Sequence, residues 1–171
     1  VTTRISRDEL QKAAEHAVQD WAAQAGKTDT IPPQLWVVKN GRPERHSLEH
    51  LFDGGIPKDM SGAGLVPMLQ QLGVSEAALI VLMVETSSQV VNFPRPGIIV
   101  SGQRELALID VADLDTEEAR VAEVARDTGK PVIGSFSKLT GEVVMWPLDR
   151  LLKEAHSPSS SRLRATKRRI S

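Results

Sequence analysis

The residues His46-Ser47-Leu48-Glu49-His50 spell H-x-x-E-H, the one string in this chain whose types and spacing carry a mechanism. On a helix, His46 and His50 lie one turn apart and can face the same metal ion. Glu49 would then serve as general base on a metal-bound water, the arrangement of a zinc-dependent hydrolase. A second group, Asp110, Asp113 and Asp115, follows an apolar stretch. Carboxylates at the end of a strand can hold a divalent cation. Aspartates also cap helices and close turns, and that explains Asp113 and Asp115 sufficiently. The remaining histidines, His16 beside Glu15 and His156 near the end of the last helix, read as surface residues.

Pro43-Glu44-Arg45-His46-Ser47-Leu48-Glu49-His50-Leu51-Phe52 resembles the metal helix of the S-ribosylhomocysteine lyases, which carries H-T-L-E-H-L. It also resembles the H-F-L-E-H segment of the pitrilysin-type peptidases. Both likenesses cover about ten residues and imply a metal ion on His46 and His50. The lyases need one Cys as a metal ligand and another in catalysis; this chain has no Cys, which excludes that activity. The peptidases need a further Glu on a downstream helix, for which Glu117, Glu118 and Glu123 are the candidates.

Charge is the other informative feature. The total is −1, but residues 157–171 hold Arg162, Arg164, Lys167, Arg168 and Arg169 and no acid. Removing these five of 21 basic residues leaves 16 against 22 acidic ones, a body of net charge −6. Such a tail suits an acidic partner surface, a second copy of this body included. It also suits nucleic-acid phosphates, with an affinity that falls steeply as salt rises. No aromatic residue is interleaved among the cations, so single-strand stacking is not expected there.

Other chemistries are excluded by motif. There is no thiolate nucleophile, no G-x-x-x-x-G-K-[ST] phosphate loop, no G-x-G-x-x-G and no G-x-S-x-G elbow. The longest apolar run, Ala77 to Val84, is well short of the roughly 20 residues of a membrane helix. No membrane partner is expected. The N-terminal residues lack an apolar signal region, and a cytoplasmic location is expected.

The elements that must position these residues follow from periodicity. Ser6 and Glu9 form a capping box. Leu10, Ala14, Ala17, Val18 and Trp21 then recur at helical spacing, and Gly26 stops the helix. Leu35 to Val38 predicts a strand, Asn40-Gly41 a tight hairpin turn, and Glu44 to His46 the return arm. Residues 46–52 suit a short helix or the exit of that strand. A glycine-rich loop over 53–64 leads to a helix from Leu65 to Leu72, capped by Gly73. Ala77 to Glu85 predicts a central strand buried on both faces. Ile98 to Val100 with Leu106 to Val111 suggests a second hairpin. Asp115 and Glu118 suggest a capping box and a helix closed by Gly129. Pro131 to Phe136 and Val143 to Trp146, about Thr140-Gly141, suggest a third hairpin, and Leu148 to Ala155 a last helix.

The expected fold is therefore α+β: a mainly antiparallel or mixed sheet of about five to seven strands with three to four flanking helices. Residues 1–156 read as one domain and 157–171 as a disordered basic tail. No set of nucleophile, base and orienting group can be assembled. The leading expectation is a non-catalytic interaction or assembly module, either with a protein partner or as a homo-oligomer. The alternatives are a zinc hydrolase using His46, Glu49 and His50, and nucleic-acid association through the tail.

Overall fold

A computed structural model describes residues 7–86, 90–92, 104–127, 129–139, 142–143 and 145–157. The elements in order are α1 (Arg7–Gln24), β1 (Gln34–Lys39), β2 (Arg42–Ser47), a 3-10 turn (Glu49–Leu51), β3 (Phe52–Asp53), β4 (Ile56–Pro57) and α2 (Leu65–Leu72). They continue with β5 (Ala77–Thr86), β6 (Val90–Asn92), β7 (Arg104–Ala112), β8 (Glu117–Ala125), β9 (Val132–Ile133), β10 (Ser137–Lys138), β11 (Glu142–Val143) and α3 (Leu148–His156). The sheet runs β10-β8-β7-β5-β1-β2 and every neighbour in that path is antiparallel. β6 adds to β5, β11 adds to β6 in parallel, and β9 adds to β8. The α+β class, with a mostly antiparallel sheet and, among the described residues, three α-helices, is as expected.

β5 and β7 are central because they are apolar on both faces. Side chains alternate across a strand. Leu79, Val81 and Met83 of β5 join Leu106 and Leu108 of β7 under α2 and α3. Ala78, Ile80 and Leu82 join Ala107 and Ile109 under α1. The sheet is thus sandwiched between α1 on one side and α2 with α3 on the other. In the second layer Trp146 is 1% exposed, stacks at a tilt on Phe52 (5.2 Å between centroids) and donates its indole N–H to the Asp59 carbonyl at 3.0 Å. Gly62 sits against this ring with φ of +74°; a Cβ there would lie 2.7 Å from Trp146 Cγ, so both backbone and space require glycine.

The β1–β2 hairpin turns through Asn40 (φ 54°) and Gly41 (φ 75°), the two left-handed residues that a type I′ turn requires. Three expectations need correction. Residues 117–125 form strand β8 rather than a helix: Asp113 and not Asp115 organises the approach. Asp113 Oδ1 accepts from the backbone N–H groups of Asp115 (2.8 Å) and Thr116 (2.7 Å) and from the Thr116 hydroxyl (3.0 Å). That closes a four-residue turn and sends the chain back along β7. Second, the expected partner Ile98 to Val100 lies outside the described residues, and β7 pairs with β5 and β8. Third, Pro131 to Phe136 does not pair with Val143 to Trp146: β9 and β10 return to β8, while β11 goes to β6. The Thr140-Gly141 turn and the tail cations Arg162, Arg164, Lys167, Arg168 and Arg169 lie outside the described residues.

Candidate functional site

The H-x-x-E-H string is not helical. His46 belongs to β2, opposite Leu35 of β1, and Glu49 and His50 begin the 3-10 turn that follows. The one-turn stacking of two histidines that a metal helix provides is therefore missing. His46 Nε2 lies 3.4 Å from Glu44 Oε1, while Glu49 and His50 are exposed. Among the described residues no group of three His, Cys, Asp or Glu side chains is placed to hold a metal ion. The downstream acids are on a strand: Glu123 pairs with Arg104 at 3.5 Å, Glu118 lies near Arg7 and Arg120, and Glu117 faces the α3 layer. His16 is exposed with Asp20 Oδ2 at 3.3 Å, and His156 donates from its ring to the Val74 carbonyl at the end of α3.

The aspartate group is also divided. Asp113 makes the turn just described; burial works against its ionisation, but the two N–H groups and the hydroxyl hold it below the ordinary carboxylate range. Asp110 is wholly buried on the α3 face of β7. As a carboxylate it finds no donor for either oxygen. Burial, then the adjoining Glu117, push it well above the ordinary range, which favours its protonated form beside Glu117.

What the fold does bring together is a groove that neither motif announces. α1 packs over β7, β5 and β1 and stops short of β2, the last strand of the sheet path. The space between the helix and the β1–β2 hairpin is a groove of about 420 Å³. Trp21 of α1 and Trp36 of β1 supply its apolar walls, with Pro32 and Pro43, and His16, Asp20, Gln34 and Arg45 supply its polar groups. Gln34 is the hub. It is 6% exposed and its Nε2 donates to the Pro32 carbonyl at 3.0 Å. Its Oε1 accepts from Trp36 Nε1 at 2.9 Å and from Arg45 Nε at 3.1 Å.

These bonds fix one indole and aim one guanidinium. They occupy Nε of Arg45 and leave its two terminal nitrogens, on an exposed side chain, directed to solvent or a ligand. Trp21 is held from behind, since the Arg126 guanidinium lies 5.9 Å from its ring centroid. A volume in the range of ligand pockets, aromatic walls and a few fixed polar groups is the composition of a recognition site. Its signals were present in the sequence but read separately. Trp21 follows the helical period of the core and Trp36 sits in a strand, and neither position signals that both remain half-exposed in one groove.

No known protein family, curated protein or solved structure matches the chain.

Proposed function

We propose that this protein is a non-catalytic interaction module that takes an extended segment of a partner protein into the Trp21–Trp36 groove. The observation that carries the reading is the Gln34 hub, which holds Trp36 and Arg45 in one arrangement through the protein's own bonds. Preorganisation of this kind lowers the ordering cost of binding. The chemistry of the groove selects its occupant. Two indoles and two prolines accept an apolar or proline anchor, and the open fork of Arg45 accepts a carboxylate beside it. Among the described residues β2 has no further neighbour along the sheet path, which leaves the groove at a sheet edge and suits a continuous chain. Pro43 and the charged residues of β2 discourage that chain from adding as a further strand. The basic tail would then act as a separate, salt-sensitive contact with acidic surfaces.

The test is selection from a random-peptide phage library on the full chain, with Arg45→Glu protein as counter-selection. Enriched peptides are expected to share an apolar or proline residue next to Asp or Glu. They should quench tryptophan fluorescence on binding, and Arg45→Glu should weaken them at least tenfold with an unchanged circular dichroism spectrum. Removing residues 157–171 should leave this affinity intact. A library that returns no peptide able to distinguish the native protein from Arg45→Glu overturns the reading.

A further inference from the structure

The other end of α1 holds a second, unrelated cleft, of about 240 Å³, between the first turns of the helix and the β7–β8 hairpin. Its lining includes Arg7 and Gln11 of α1 and Glu118 and Arg120 of β8. Among the described residues three donor nitrogens in it are buried with no acceptor, Arg7 Nε, Gln11 Nε2 and Arg120 Nε, on arginine side chains that are themselves 27% and 40% exposed. Gln11 is only 9% exposed. Buried donors are nearly always satisfied, and one left open is costly. Three in one cleft is therefore a demand for an acceptor.

Glu118 does not meet that demand. Its carboxylate is 4.0 Å from Arg7 Nη2 and 3.8 Å from Arg120 Nη2, beyond hydrogen-bond length for both. Arg7 Nη1 is engaged by the Thr116 hydroxyl, which fixes the guanidinium over the β7–β8 turn. Two guanidinium edges, of which Arg7 is held by Thr116, and an amide N–H therefore line one cleft with the carboxylates of Glu118 and Asp8. Asp8, exposed at the rim in the first turn of the helix, limits how much negative charge can enter.

We infer that this cleft binds a compact oxyanion, a phosphate or a carboxylate, whose oxygens accept from Arg7 Nε, Gln11 Nε2 and Arg120 Nε. Charge-assisted bonds to an oxyanion are the strong form for guanidinium donors. The buried amide of Gln11 adds a donor that a purely electrostatic surface patch does not have. The site is independent of the tryptophan groove, since it uses none of the same side chains.

The experiment is nitrogen-resolved NMR of the arginine Nε–H groups in the full chain, titrated with inorganic phosphate, pyrophosphate, acetate or succinate. Sodium chloride at matched ionic strength is the control. The Arg7 and Arg120 signals, assigned with Arg7→Lys and Arg120→Lys, should move saturably with at least one oxyanion and not with chloride. Whether the phosphates or the carboxylates act identifies the class. Gln11→Met keeps the size of the side chain and removes the donor, and should weaken the response at least tenfold. Shifts that stay linear and equal to those in chloride overturn the proposal and assign the three nitrogens to bound water. An unchanged affinity in Gln11→Met overturns it as well.

Discussion

Arg126→Met lowers the stability of the domain by about 3–5 kcal/mol, the cost of leaving one partner of a buried ion pair uncompensated. Arg126 holds Glu105 bidentately, with Nε to Oε2 at 2.8 Å and Nη2 to Oε1 at 2.7 Å. The side chains are 21% and 5% exposed, so water cannot replace the lost partner at the carboxylate. The third arm, Nη1, donates to the Lys27 carbonyl at 2.9 Å, and the same guanidinium backs the Trp21 ring. One planar fork thus ties β7, β8, the end of α1 and the loop behind it. Lysine is a point charge and cannot make all three contacts, so Arg126→Lys should recover only part of the loss. Adding Glu105→Leu to Arg126→Met removes the stranded charge and should restore more than half of the stability, since an apolar pair is often an adequate substitute. Thermal and urea unfolding measure this. For a domain of this size the single variant should melt roughly 10 °C lower. A loss under about 1 kcal/mol, or a double variant no better than the single one, contradicts the assignment. Because Arg126 supports Trp21, the single variant should also weaken peptide binding in the groove while Arg45 is untouched.

The same contacts explain what could be read from the sequence. α1, α2, α3, the β1–β2 hairpin and β5 were legible because each carries its own local reason. Leu10, Ala14 and Val18 repeat at the helical period, Asn40-Gly41 fits one turn type, and Ala77 to Val84 is apolar on both faces. β8 was not legible. Its Glu-Glu-Ala-Arg-Val-Ala-Glu-Val-Ala has good helix formers and an apparent capping box, yet pairing along β7 from Ala112↔Glu117 to Leu106↔Glu123 outweighs that propensity. A helix there would also have put Glu117, Glu118 and Glu123 on one element downstream of His46 and His50; the strand instead alternates them across the sheet. Those histidines show the converse: the spacing matches a metal motif, but His46 lies on β2 and His50 in the 3-10 turn beyond it, so no helix stacks them one turn apart. Both clefts were illegible for a different reason. Trp21 shares a groove with Trp36, and Gln11 a cleft with Arg120, only through the way α1 crosses the sheet, and no local spacing encodes that crossing.

Asp110→Asn should stabilise the protein above neutral pH, and the sign follows from the burial of a carboxyl among carboxyls. Asp110 is 0% exposed on β7. Glu117 of β8 lies within hydrogen-bond reach, Asp149 of α3 adds a like charge, and Arg7 contributes a weaker opposing field. Burial also dominates at Glu117 and raises it; the Leu148 N–H pulls partly back, and Asp149 adds to the rise. Both groups therefore have folded values above their unfolded ones. Their contribution is fully present below the ordinary carboxylate range and is lost as pH rises through the folded values. Within that window each such group removes up to about 1.4 kcal/mol per pH unit. This runs opposite to the usual carboxylate behaviour, in which acid destabilises. An asparagine has the same shape, carries no charge and donates its amide to Glu117 permanently, as the acid form of Asp110 does only when protonated. The expected gain at pH 8 is about 1–3 kcal/mol, with little or none at pH 4. Urea unfolding of both proteins at several pH values between 4 and 9 measures it. Equal slopes for the two proteins, or a variant that is less stable at pH 8, would show that Asp110 is ionised and compensated in the folded state. The placement of α3 should follow the same titration, because Glu117 accepts from its first N–H and faces Asp149 beside it. Trp146, two residues before that helix, reports its position by fluorescence, and in the native protein this signal should change with pH before global unfolding begins. In Asp110→Asn the change should shrink, which separates a local loosening of α3 from a loss of the whole core.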